Sequence, residues 1–456
     1  MRGSPPQADL PRSSATPSRP GPLHARASCV HWRRTVQLNP KRCSTGGANT
    51  VVHVLPATEE RQQALKIERV EIYPLIAELD EPFGWSQRWT AVRATTAVKI
   101  IADDGTYGWG ESGGAETMGM LAPLLIGEDP TLPERAWQRI YAEIYQGHNF
   151  AGQGMIALSA FDMALWDIAG KVAGRPVSDL LGGGTRDRIP VYATGLYYLR
   201  DDYPNRMAEE ARGYVEAGFT GMKMKVGGKL FSDDVNRVYH IRDVIGEDVH
   251  LMFDANEGYD VKTAIEFGRR TGDADISWFE EPCGSYDLDA NVQVRKNVPM
   301  PTSGGESRKS RYEFTDLFAR HVFDIVQPDI VNVGGVSEMF KVGHMANAYG
   351  VQFNPHFWGT GISLAATLHV AACLPSNPPS YQPEPYYNQT VMEFDRTPHP
   401  IRESLTDPIF DQVDSHIPVP TAPGLGIEVH DDVLKRFLRG DGPTVIDKPA
   451  SPAWGR

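Results

Sequence analysis

The sequence predicts an α/β protein in which a small domain of strands and then helices precedes a barrel of alternating strands and helices. Three observations carry this. At 456 residues the chain is too long for one small domain. Short apolar strand candidates alternate with helical stretches: "PVYATG" at 190, "GMKMKV" at 221, "HLMFDAN" at 250, "SWFEEP" at 277, "PTSGGE" at 301, "FDIVQPD" at 323, "VQFNPH" at 351 and "TVMEFD" at 390. Polar residues recur at the C-terminal ends of nearly all of them. In a closed barrel those ends meet at one mouth, where active sites are built, whereas a doubly wound open sheet would spread them along an edge. Convergence accounts for all of them, so the barrel is preferred.

The elements follow in order. Residues 1–58 hold eight Lys/Arg against the single acid Asp9, are rich in Pro and Ser, and show no apolar period. A disordered tail, an over-long start or a transit peptide would each read this way, and residues 1–65 are set apart on that basis. From Leu65, "KIERVEIYPLIAEL" and "RATTAVKIIADDGTYGWGES" alternate as strands, with an Asp-Asp-Gly-Thr turn between strand runs. Residues 131–181 place apolar side chains at three and four spacing and stop at Gly182–Gly184, as helices do. These give an α+β domain over 66–188 and a barrel over 189–415. A C-terminal segment, 416–456, is expected to return to the first domain and end in a disordered tail.

Composition excludes several classes. The net charge is −13, and beyond residue 58 it is −20, from 37 basic and 57 acidic residues. That disfavours nucleic acid, whose phosphates need a basic surface. No run of about 18 apolar residues occurs, so no membrane span is expected. Cys29, Cys43, Cys283 and Cys373 form no CxxC pair, and a reducing cytoplasm fits. "GWGESGG" lacks the strand and helix context of a nucleotide loop. "GGVSE" after Asp329 reads as a turn entering a helix.

Three strand ends carry Asp254, Glu280 and Glu306, each 26 residues from the next. Three carboxylates brought that close repel one another unless a cation stands between them, and all-oxygen ligation favours Mg2+. The plainer alternative is that strand-end acids cap helices or face water. Glu281 is expected to turn away from the site, because adjacent strand residues face opposite sides. Lys223 and Lys225, two apart on one strand, share a face and crowd each other, so at least one ammonium pKa should fall. With a metal-bound carboxylate nearby, Lys225 is the candidate base for an α-hydrogen and Lys223 the group that tunes it. Salt bridges to the acids, or a Schiff-base lysine, are the other readings. Asp329 and His356 end adjacent strands, so the carboxylate can orient the imidazole as a general acid or base.

This set resembles the enolase superfamily, specifically its mandelate racemase branch, over about residues 66–437. The resemblance implies a modified TIM barrel, (β/α)7β, with an N-terminal α+β capping domain. It also implies Mg2+ on Asp254, Glu280 and Glu306, and a Lys-x-Lys and Asp/His pair at Lys223, Lys225, Asp329 and His356. The handling of such sites by a Lys or His base with Mg2+ is an established pattern. On the last strand, Glu393 matches the family's Glu that hydrogen-bonds the substrate carboxylate, with Glu384 as competitor; Asn256 matches its substrate-contacting Asn. "NPHFWGTGISLAA" and "VMEFDRTPHPIRESL" are similar to aldarolactone cycloisomerases and acid-sugar dehydratases. The implied chemistry is α-proton abstraction to a metal-stabilised enolate, then expulsion of a β-oxygen, with racemisation or epimerisation of a 2-hydroxy acid as the alternative. An inactive scaffold would normally lose an acid or a base, and none is missing. Cap loops 79–92 and 109–119 are expected to set specificity, with Trp85, Trp89 and Arg88 lining the pocket and Arg88 suited to a distal carboxylate. The implied partners are a small acid sugar or its lactone, and further copies of the chain in a homo-oligomer.

Overall fold

The computed structural model describes residues 65–450. The segment expected to be disordered at the start, and the tail beyond 450, lie outside the described residues. Strands β1 (Ile67–Gly84), β2 (Trp89–Ala102) and β3 (Tyr107–Ser112) form an antiparallel sheet in sequence order. The Asp103–Thr106 turn joins the last two, and Gly105 supplies its positive φ of 88°. The strand Thr444–Ile446 pairs with the outer edge of β1 and ties the C-terminal segment to this sheet. The region 79–92 differs from the expected loop. It is mostly strand, because pairing resumes after an irregularity with Phe83 opposite Thr90 and Gly84 opposite Trp89, leaving Trp85–Arg88 as a hairpin tip.

Helices Ala115–Leu121, Pro133–Gln146 and Gln153–Ala173 follow. The last is apolar nearly all round and is buried along most of its length, as such a pattern requires. One side meets β3 so closely that a Cβ at Gly108 or Gly110 would collide with the backbone oxygens of Ala164 and Ala160. The other side reaches the barrel, where Asp162 accepts hydrogen bonds from Ser337 N (2.8 Å) and Ser337 Oγ (2.6 Å). The Gly334-Gly335 pair is indeed the turn into the helix Gly335–Ala348, with both residues at positive φ.

The barrel strands are β4 (Arg188–Thr194), β5 (Gly221–Lys225), β6 (His250–Asp254), β7 (Ile276–Glu280), β8 (Thr302–Gly304), β9 (Ile325–Val326), β10 (Gln352–Phe353) and β11 (Met392–Asp395). They pair in parallel from β4 through β10, and β11 lies against β4. Glu393 N donates to Pro355 O (3.2 Å) and Val391 N to Asn354 Oδ1 (3.0 Å), which closes the ring between β10 and β11. Each of β4 to β10 is followed by a crossover helix, but β11 leads into extended chain whose strand His416–Pro418 pairs back on β4. This is (β/α)7β.

Strand alternation divides the barrel into an outer shell and a lumen. Met222, Met224, Leu251, Phe253 and Phe279 pack outward with the helices. Tyr192, Met252, Trp278, Ile325, Tyr386 and Val391 form a separate apolar cluster. Lys223, Lys225, Asp254 and Glu280 stand at the strand ends, all buried. Among the described residues no helix is long and apolar enough to cross a membrane.

Candidate active site

Parallel register brings the strand-end charges together. Lys225 lies beside Asp254 in the β5–β6 pairing, and Asp254 beside Glu280 in the β6–β7 pairing. Lys225 Nζ is 2.5 Å from Asp254 Oδ2; Lys223 Nζ is 2.5 Å from Glu280 Oε1, 3.0 Å from Glu393 Oε1 and 3.9 Å from Asp254 Oδ2. The salt-bridged reading of the lysines is therefore the one seen. It reverses the expected fall in pKa: burial works against each ammonium, but Glu280 and Glu393 around Lys223, and Asp254 beside Lys225, outweigh both burial and mutual repulsion and raise the two groups.

Asp329 and His356 also meet. Asp329 Oδ1 caps the following turn by accepting from Val331 N (2.8 Å), and Oδ2 lies 2.7 Å from His356 Nδ1. The far nitrogen, Nε2, is 3.3 Å from Glu306 Oε2 and 3.7 Å from Glu393 Oε2. Burial opposes charge on the ring, yet Glu306, Glu393 and Asp329 together raise its pKa well above the ordinary value, which favours the imidazolium. Glu393 is buried here, whereas Glu384 is exposed and bonds His250 Nε2 (2.5 Å) on β6, the first residue of that strand. Burial pushes the Glu393 carboxyl up, but Lys223 and His356 hold it below the usual range. In this arrangement Glu393 is an acceptor.

Glu281 does not turn away as expected. Its φ of 39° breaks strand alternation, and it lines the same cavity as Glu306, Asn256 and Lys225. Burial and the charges of Glu306 and Asp254 raise its pKa well above normal. Burial also pushes up Glu306; His356 works against this, Asp254 and Glu280 add to it, and the result is about 7. Glu281 Oε1 and Asn256 Oδ1 are buried acceptors without a hydrogen-bond donor, and Glu306 Oε2 has the His356 ion pair but no well-formed hydrogen bond. Among the described residues no group of three acidic or histidine side chains is gathered into a ready cage, since lysines draw Asp254 and Glu280. The donor chemistry nevertheless fits a hard divalent cation: oxygen acceptors, mutually repelling and unsatisfied.

The cavity holds about 230 Å3. The hairpin tip is pinned over it by paired hydrogen bonds between Gly84 and Tyr198 (Gly84 N to Tyr198 O 2.8 Å, Tyr198 N to Gly84 O 2.9 Å). Trp85 and Gln87 therefore line it. Arg88 and Trp89 do not: Arg88 sits 5.2 Å over the Trp85 ring and is exposed, and Trp89 is 51 % exposed, because the tight turn carries both to the solvent side. Nor does 109–119 line the cavity. Glu111 instead accepts from Thr360 N (2.8 Å), at the start of the helix Gly361–Cys373. Tyr197, Trp358, Gln327 and Ser307 were not singled out from sequence. Trp358 stands two residues beyond His356 and Gln327 two before Asp329, a same-face spacing that could have found both. Gln327 Nε2 donates to Glu280 Oε2 (2.6 Å).

A (β/α)7β barrel under an antiparallel cap, with acids, paired lysines and an Asp/His couple at one mouth, defines an enolase-superfamily enzyme. The chain belongs to the mandelate racemase/muconate lactonizing enzyme family: its N-terminal domain pattern matches residues 75–182 and the enolase C-terminal domain-like pattern matches 206–433. The chain is 38 % identical to D-galactarolactone cycloisomerase of Agrobacterium fabrum over 387 residues, covering 83 % of this chain and all of that one. It is 36 % identical to arabinonate dehydratase of Saccharolobus solfataricus, covering 75 % and 90 %. The structure of 3,6-anhydro-D-galactonate cycloisomerase from Zobellia galactanivorans superposes with a TM-score of 0.74 at 37 % identity, covering 82 % of this chain and all of that one.

Proposed function

We propose that this enzyme removes the proton α to a carboxylate of an acid sugar or its lactone and expels the β-oxygen, with cycloisomerisation of an aldarolactone such as D-galactarolactone as the reaction. The carrying observation is that one small cavity is lined by both Lys225 and the Asp329-held His356. Asp254, Glu280 and Glu306 would hold Mg2+, which acidifies the α-hydrogen through the substrate carboxylate and draws off the Asp254 charge that keeps Lys225 protonated.

Lys225, once neutral, takes the proton, and Lys223 stays charged between Glu280 and Glu393. His356, whose charged form Glu306, Glu393 and Asp329 favour, would return a proton to the carbon that loses the β-oxygen, turning the enol into the 2-keto product, or to a departing hydroxyl in a dehydration. In the lactone the departing ring oxygen remains in the product as a carboxylate, so no atom is lost. Loss of water from an open acid sugar uses the same residues, and the likeness to arabinonate dehydratase supports that second reading. Racemisation would use the same pair, a neutral base on one face and a protonated acid on the other, and it is the likeness to a cycloisomerase and a dehydratase that favours elimination. Proton NMR in D2O with Mg2+ tests the proposal. Loss of the α-proton signal with an isomeric, rearranged product is expected from D-galactarolactone; a 2-keto-3-deoxy product from open acids alone would favour dehydration, and exchange with inversion alone would overturn elimination.

A further inference from the structure

The cavity, at about 230 Å3, lies below the range of about 300–1,000 Å3 usual for small-molecule sites, so it takes one compact ligand. Its charged lining is confined to Lys225, His356 and the acids Glu257, Glu281 and Glu306. The rest is neutral and largely aromatic. Trp85 meets Trp358 edge to face (5.4 Å, 88°) and Tyr197 likewise (6.4 Å, 86°).

Two guanidinium groups come near this neutral part without serving it. Arg88 lies over Trp85 on the solvent side. Arg93 is 4.4 Å over the Trp358 ring, but it is buried and engaged with Asp395 Oδ2 (2.5 Å) and Thr397 Oγ1 (3.1 Å). Among the described residues, Lys225 and His356 are thus the cations of the cavity. Trp358 Nε1 is buried with no acceptor, although its ring lines the site. An indole N–H in that state asks for a ligand oxygen.

We propose that the site selects a monoanion, a single carboxylate carried on a neutral, ring-closed sugar, and that Trp358 is the specificity-determining residue, its Nε1 donating to an oxygen of that ring. The inference rests on the acid-sugar reading above. A second carboxylate would be desolvated against Trp85, Tyr197 and Trp358 with no cation to pair it. A closed ring is compact, and its C–H edges pack on aromatic walls.

Steady-state kinetics and α-deuterium exchange should be measured with D-galactarolactone and 3,6-anhydro-D-galactonate (one carboxylate, ring), galactonate (one carboxylate, open) and galactarate (two, open). Both ring monoanions are expected to exceed galactarate in kcat/KM by about 100-fold or more. Trp358→Phe, which keeps a ring and removes the N–H, should lower kcat/KM for the ring substrates about tenfold through KM. Arg88→Ala should leave the preference unchanged. Turnover of galactarate at a comparable kcat/KM, or an unaltered KM in Trp358→Phe, would overturn the inference. Exchange with every substrate but no preference for rings removes the inference and leaves proton abstraction standing; no exchange with any of them removes both.

Discussion

Two clusters of buried charge lie close together in this molecule and are built in opposite ways. At the seam between cap and barrel, Asp395 uses both oxygens fully. Oδ1 accepts from Thr397 N (2.9 Å) and Oγ1 (2.6 Å), and Oδ2 from Arg93 (2.5 Å) and Arg402 (2.6 Å). Burial disfavours its charge, but the two arginines and Thr397 hold the carboxyl far below its usual range. At the mouth, two residues earlier on the same strand, Glu393 faces a cluster in which Glu281 and Asn256 leave buried acceptors unpaired and Glu306 has only its His356 ion pair. A satisfied cluster fixes structure, whereas an unsatisfied one is waiting for something the chain does not supply.

The largest expected difference between the clusters is in turnover. Lys225→Ala or His356→Asn should lower kcat by about a thousandfold or more while the protein stays folded, checked by NMR turnover beside a thermal melt. Asp395→Asn should do the reverse in kind. It leaves Arg93 and Arg402 without their anion and should cost about 3–5 kcal/mol by denaturant titration.

A third buried group, His369, sharpens the contrast because it is satisfied only when neutral. Nδ1 faces Ser178 N (3.3 Å) and Nε2 faces Leu425 O (3.2 Å). Burial pushes its pKa down to about 4. The unfolded chain therefore binds more protons between about pH 4 and 6.5, so stability is complete above that window and falls as pH drops through it. The loss should reach about 3 kcal/mol, and His369→Gln should flatten this part of a stability–pH curve. The smallest effect concerns Mg2+. At about 100 times its Kd it should stabilise the fold by about 2.7 kcal/mol in a melt, a gain that Glu306→Gln should remove.

Much of this was legible in the chain. Asp254, Glu280 and Glu306 stood out because strand alternation and a regular βα spacing are local properties, and Lys223 and Lys225 because i and i+2 share a face. The same rule failed at Glu281, where a positive φ at the strand end changes which way the side chain faces. Arg88, expected in the pocket as part of a cap loop, faces solvent instead, since a hairpin tip folded by long-range pairing with Tyr198 decides which of its four residues look inward.

The sequence by itself determined the alternation of strands and helices, the order of the polar strand ends and hence the identity of the mouth, because these depend on periodicities of two and 3.6 residues. Tertiary structure alone decided what those charges do to one another. Both lysines are raised because register sets each against a carboxylate at 2.5 Å, and Trp358 enters the cavity because the cap packs Trp85 against it. Pair distances of that kind join elements far apart in the chain, so no local pattern encodes them.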